Sequence, residues 1–194
     1  MALGFGFNKA KVLNAAEKFV QQGKLQNAIA EYEKVIKEDP KDLTVLNAIG
    51  DLYARVGQND KAAEYFKKVG DQYAHNGFTV KAIAVYKKLT RVATSSEAAI
   101  KLAELYTQQG LFNDARTHYM QVADQLLKAG DNEQAARVFQ KILELDPEDI
   151  LAWTSISRAY QRKGMIPEAE EAGNKARVLG WKQELREQKA NKQS

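Results

Sequence analysis

The chain has no cysteine among its 194 residues. Disulfides and thiolate-held metals are thereby excluded, in agreement with a reducing compartment. Proline is almost as scarce, with three in the sequence, so little interrupts long helices. The two histidines, His75 and His118, lie 43 residues apart with no HExxH-like spacing, and no metal or cofactor is expected. No run approaches the roughly 18 apolar residues of a membrane span. The start, Met-Ala-Leu-Gly-Phe-Gly-Phe, lacks the basic and apolar segments of a secretory signal. Its two glycines follow no strand pattern and make no phosphate loop. No Ser/His/Asp set stands out, so catalysis is not expected. The expectation is a cytoplasmic, non-enzymatic protein.

A one-signed charge field is also missing. The net charge is +4, which raises the question of nucleic acid. Residues 174–194 hold six basic and two acidic side chains, and the preceding part is balanced. Phosphate binding needs clustered Lys and Arg, so neither a nucleic acid nor a membrane surface is the expected partner. The basic stretch serves most simply as a solvating end.

What the sequence does have is one pattern written six times. Gly23, Gly57, Gly77, Gly110, Gly130 and Gly164 are each followed five residues later by alanine: Ala28, Ala62, Ala82, Ala115, Ala135 and Ala169. Seven before each glycine stands a small residue: Ala16, Gly50, Gly70, Ala103, Ala123 and Ser157. Four before stands a large one: Phe19, Tyr53, Tyr73, Tyr106, Leu126 and Tyr160. Nine after come Tyr32, Phe66, Tyr86, Tyr119 and Phe139, with Gly173 in the last copy. Offsets of three and four share a helix face. Each glycine supplies the left-handed residue that ends a helix. Each copy therefore reads as a helix–turn–helix hairpin. Such hairpins bury their apolar faces only by stacking.

The glycines are spaced 34, 20, 33, 20 and 34 residues apart. At a spacing of 20, one helix closes a hairpin and opens the next. This predicts shared helices over roughly 61–76 and 114–129, and a higher period of 53 or 54 residues. Asp39-Pro40 and Asp146-Pro147 mark breaks, and Thr94-Ser95-Ser96 offers hydroxyl N-caps instead of proline. Asn8 is the expected first cap, with Phe5 or Phe7 packing on the first hairpin. The expected division is a lead-in over 1–8, a repeat domain over 9–179 and a basic cap over 180–194.

These offsets resemble the tetratricopeptide repeat (TPR) family over about residues 9–178, most fully in Leu46, Gly50, Tyr53, Gly57, Ala62 and Phe66, and in Trp153, Tyr160, Gly164 and Ala169. The chain departs from the pattern in its two short spacings, in the missing third proline and at Gly173. The resemblance implies an all-α fold: a right-handed α-α superhelix of about ten helices plus a C-terminal capping helix. It also implies a concave groove that binds a peptide segment or helix of another protein.

In that family the first helix of each hairpin lines the groove. The positions implied here are Asn47, Asp51, Arg55, Glu104, Gln108, Arg158 and Arg162. Six before the glycines runs a mostly acidic row: Glu17, Asp51, Asp71, Glu104, Asp124 and Arg158. Two before runs a polar or basic row that includes Arg55, His75, Lys128 and Arg162. The rows either read a partner's charge pattern or form i,i+4 pairs (Asp51–Arg55, Asp71–His75, Asp124–Lys128) that steady exposed helices. Chaperone-binding relatives grip a terminal carboxylate with Lys and Asn. Here Glu17 and Asp51 would repel one, whereas Arg158 and Arg162, one turn apart, form a pair able to hold an acidic group. Trp153 reads as core. Trp181 reads as packing on the final helices, with partner contact as the alternative. A self-assembling scaffold that uses the ends of the array is the second functional reading, giving a monomer or weak homo-oligomer. A nucleic-acid-associated adaptor is a minor third.

Overall fold

The computed structural model describes residues 7–192, so Phe5 lies outside the described residues. Within them are ten helices and no strand: α1 (Lys9–Gln21), α2 (Leu25–Glu38), α3 (Leu43–Arg55), α4 (Asn59–His75), α5 (Thr79–Val92), α6 (Ser96–Gln108), α7 (Phe112–Lys128), α8 (Asn132–Leu145), α9 (Ile150–Arg162) and α10 (Ile166–Asn191). They group into two compact units, Met1–Ala98 and Ala99–Ser194. In the first, α1 packs on α2, α2 on α3, α3 on α4 and α4 on α5; in the second, α7 packs on α8, α8 on α9 and α9 on α10.

The six repeat glycines end α1, α3, α4, α6, α7 and α9, with φ between 73° and 82°. At each turn two backbone hydrogen bonds close a Schellman motif. After α1, the Lys24 N–H donates to the Phe19 carbonyl at 2.9 Å and the Gly23 N–H to that of Val20 at 3.1 Å. The same pair recurs at the other five turns. This satisfies carbonyls that a helix end leaves without partners. Helix starts are capped as the sequence implies. Asn8 Oδ1 accepts from the Lys11 N–H at 3.0 Å, and Ser95 Oγ accepts from that of Ala98 at 3.2 Å.

The shared helices are present. α4 and α7 have 17 residues each, against 13 or 14 for α1–α3, α5, α6, α8 and α9. α4 packs on both α3 and α5. α7 packs on α8 and meets α6 through a stacked pair, Tyr106 and His118, with ring centres 5.2 Å apart.

The core is made of the repeat positions. The six alanines five after each glycine are at most 1 % exposed. Phe66, Tyr86, Tyr119 and Phe139 are also buried. The small residues exist to admit these rings. A Cβ added to Gly50 would lie 2.8 Å from Phe66 Cε1, and one added to Gly70 2.8 Å from Tyr86 Cδ2. In the last hairpin the ring is absent: Gly173 faces Ser157, whose hydroxyl donates to the Ala169 carbonyl at 2.7 Å.

Two expectations are corrected. The segment from Gly180 is no separate capping helix, because α10 runs unbroken for 26 residues to Asn191. The reason lies in the pattern itself. Gly77 and Gly130 stop α4 and α7 twenty residues after the preceding repeat glycine, but the position twenty after Gly164 is Glu184. Phe7 is 42 % exposed, so the first hairpin does not enclose it, and its alternative Phe5 lies outside the described residues. Trp181 does not pack on the final helices either; it is 70 % exposed, beyond the last residues of α10 that α9 buries.

Candidate partner-binding faces

In the first unit, Asn47, Asp51 and Arg55 lie on α3. Asn47 and Asp51 converge on one cation that the sequence reading missed. Lys88, on α5, donates to Asp51 Oδ2 at 2.7 Å and to Asn47 Oδ1 at 3.2 Å. Its ammonium also sits 5.5 Å from the centre of the Phe66 ring, a favourable cation–π contact. Lys88 thus reaches over the shared helix α4 and braces α3 to α5. Asp51 does not pair with Arg55, which is exposed.

The second unit repeats the device. Glu104 on α6 takes Lys141 of α8 at 3.3 Å and Lys101 of its own helix at 3.6 Å. Asp51 and Glu104 are 53 residues apart, and so are Lys88 and Lys141. Both acids and both lysines remain 33–43 % exposed. At such exposure a pair contributes about 0–1 kcal/mol, so the braces set the charge pattern of a surface more than they stabilise a fold. Gln108 and Arg158 are exposed. Arg162 donates to the Leu127 carbonyl at 3.2 Å, at the C-terminal end of α7, where a cation suits the helix dipole.

Neither of the other expected i,i+4 pairs forms among the described residues. Asp71 accepts from Lys67 at 3.3 Å and from the Tyr86 hydroxyl, not from His75. Asp124 and Lys128 form no ion pair with each other among the described residues. Asp71 thus has an i,i+4 partner after all, but on the N-terminal side, together with the hydroxyl that α5 brings.

A second recurring device locks helix starts. Asp42 caps α3 and meets Lys9 at 2.7 Å. Two periods on, 107 residues later, Asp149 caps α9 and accepts from the Arg116 guanidinium. Asp149 is buried, and burial works to raise its pKa. The Arg116 guanidinium and the Ala152 N–H outweigh that and hold the carboxyl below its ordinary value. The middle copy has no such lock: Ser95 and Ala63 stand at the corresponding positions.

Two aromatic side chains also carry hydrogen bonds. The Tyr53 hydroxyl donates to Glu33 Oε1 at 3.1 Å. Burial, then the Glu33 charge, pushes its pKa up to about 12. Trp153 is half-buried, and its Nε1 donates to the Pro147 carbonyl at 2.9 Å. Among the described residues no group of three His, Asp or Glu could hold a metal ion, and no helix is long and apolar enough to cross a membrane.

Two family descriptions match the sequence: TPR repeat over residues 16–68 and tetratricopeptide repeat over residues 126–176, together more than half of the chain. The chain belongs to the tetratricopeptide repeat family, whose members are protein-interaction scaffolds. No curated protein matches the sequence. Solved structures similar to it include the MamA protein, 23 % identical, with 90 % of this chain and 92 % of that chain covered and a TM-score of 0.33. A second holds the nearly identical TPR-like repeats of a Podosopora anserina kinesin light chain protein (17 % identity, 90 % and 95 % covered, TM-score 0.42). A third is the TPR2AB domain of yeast Sti1 in its pHSP90 complex (18 % identity, 88 % and 77 % covered, TM-score 0.33).

Proposed function

We propose that this protein is a non-enzymatic scaffold that holds a segment of another protein against the first helices of its hairpins. The observation that carries the reading is the acid–lysine brace written twice, Asp51–Lys88 and Glu104–Lys141, on half-exposed faces 53 residues apart. Each brace leaves a lysine and a carboxylate partly exposed to an approaching partner. An extended backbone or a charged side chain can engage both. Arg55, Gln108 and Arg158 extend these faces as exposed donors. Complementary charge of this kind governs specificity and encounter rate more than raw affinity. Peptide-sized partners, rather than small molecules, fit such open and polar faces.

The test exchanges each pair in place: Asp51→Lys with Lys88→Asp, and Glu104→Lys with Lys141→Glu. The braces survive with reversed polarity, so far-UV circular dichroism and melting should stay close to those of the native chain. The proteins retained from a cell extract should change. An unchanged retained set on a folded double exchange would refute the reading.

A further inference from the structure

We propose that the joint between α5 and α6 is a built-in opening point, where the first turn of α6 and the residues before it open locally while both compact units stay folded. The chain has three joints of this kind: α2 to α3, α5 to α6 and α8 to α9. The helices that follow them start 53 and 54 residues apart. Their parts can therefore be compared position by position.

The two outer joints are built alike. Each begins with an Asp-Pro pair, Asp39-Pro40 or Asp146-Pro147. Proline narrows the set of open conformations and so favours the closed turn. The Asp42 N–H donates to the Asp39 carbonyl at 3.2 Å, and the Asp149 N–H to that of Asp146 at 3.1 Å. A carboxylate completes the joint. It caps the next helix and binds a cation two helices back, Lys9 for Asp42 and Arg116 for Asp149. Hydrogen bonds to an ionised acceptor are roughly twice as strong as neutral ones, and the charge suits the positive end of the capped helix.

The middle joint lacks each of these parts. Val92-Ala93 stands in place of Asp-Pro, Ser95 in place of the capping acid and Ala63 in place of the cation. Ser95 still caps α6 through the Ala98 N–H, but a hydroxyl carries no charge with which to hold a cation. The tie from α6 to α4 is instead Glu97 with Lys67 at 3.2 Å, and these side chains are 80 and 51 % exposed. Lys67 also serves Asp71 at 3.3 Å. So exposed a pair contributes little and is screened by salt. A separate observation falls on the same place. The border between the two compact units, Ala98/Ala99, lies within the first turn of α6, and local opening follows the borders of cooperative units. Each brace lies inside one unit, Asp51–Lys88 in the first and Glu104–Lys141 in the second. The joint therefore opens without dismantling either face.

Hydrogen exchange of the full-length chain, followed by mass spectrometry, compares three matching segments: 43–52, 96–105 and 150–159. After correction for intrinsic rates, protection of 96–105 should be about tenfold lower than that of either other segment, the scale of a missing charged cap with its cation. Sodium chloride at about 0.5 M should lower it several-fold further. It should leave 150–159, whose Asp149 is buried, nearly unchanged. The lock can also be moved. Ala63→Arg with Ser95→Asp should raise protection of 96–105 to the level of 150–159. If circular dichroism shows that this variant does not fold, the reverse exchange decides: Arg116→Ala with Asp149→Ser should bring 150–159 down to the level of 96–105. Equal protection of the three segments in the native chain would overturn the proposal. So would a folded lock-bearing variant whose 96–105 exchanges as before, or a folded Arg116→Ala/Asp149→Ser chain whose 150–159 keeps its full protection.

Discussion

The same substitution, glycine to alanine inside a helix, should act in opposite directions at two places in this chain. In an open helix interior, alanine is favoured over glycine by about 1 kcal/mol. At Gly180 nothing lies within 4 Å of an added Cβ, so Gly180→Ala should stabilise by up to about that amount. At Gly50 the added Cβ would stand 2.8 Å and 2.9 Å from Phe66 ring carbons and 3.3 Å from Tyr65 Cβ. Phe66 is 1 % exposed and lies under the Lys88 ammonium, so the ring has nowhere to go. Overpacking of a tight core costs about 1–3 kcal/mol, which exceeds the propensity gain. Gly50→Ala should therefore destabilise by up to about 2 kcal/mol net. For a chain of this size 1 kcal/mol corresponds to about 2–4 °C in Tm. Urea titration followed by circular dichroism measures both variants. A cycle with Phe66→Leu, which trims the ring, should show the two sites coupled by about 1 kcal/mol. If Gly50→Ala raised stability as Gly180→Ala does, or if the cycle showed no coupling, close approach at the small repeat positions would not be what requires glycine there.

Two further outcomes follow from buried ionisable groups. Asp149→Asn leaves Arg116 without its partner and should cost about 1–3 kcal/mol at neutral pH, less than for a fully buried pair because the Arg116 side chain is 37 % exposed. The Asp149 pKa is lowered in the fold, so its contribution is present above the ordinary value of 3.8 and is lost as pH falls through the lower folded value. The asparagine variant should accordingly lose less stability on acidification than the native chain, and parallel melts from pH 6 to below 4 check this. At the alkaline end, Tyr53 and Tyr119 are both raised from 10.0 to about 12, chiefly by burial. Their contribution is complete below pH 10 and fades as pH rises from there toward 12. Tyr119→Phe should flatten that part of the stability profile, and ultraviolet titration of the folded chain should show late-ionising phenols.

The turns were legible because each requires one residue type at one backbone angle. A glycine at positive φ leaves a mark that survives every change of its neighbours, and all six behave alike. Helix sharing was legible for a related reason: Phe66 and Tyr119 satisfy two repeat offsets at once, which only a common helix permits. The end of α10 could have been read too, from Glu184 standing where a stop glycine was due. The braces were harder. Nothing local ties Asp51 to Lys88, 37 residues on, and the nearer Arg55 is the simpler guess. Their signal lies in the 53-residue recurrence, which becomes persuasive only once packing shows what α4 and α7 leave uncovered. Trp181 misled because a large ring near a helix end usually finds cover, and here the neighbouring position, Gly180, supplies none.

Within each unit the extensively packed pairs of helices, α1 with α2 to α4 with α5 and α7 with α8 to α9 with α10, are neighbours in chain order. Few contacts therefore have to await the arrival of a distant segment, and the search that slows sheet proteins is largely absent. Stacking can therefore proceed in the order of synthesis, each hairpin completed by the one that follows it.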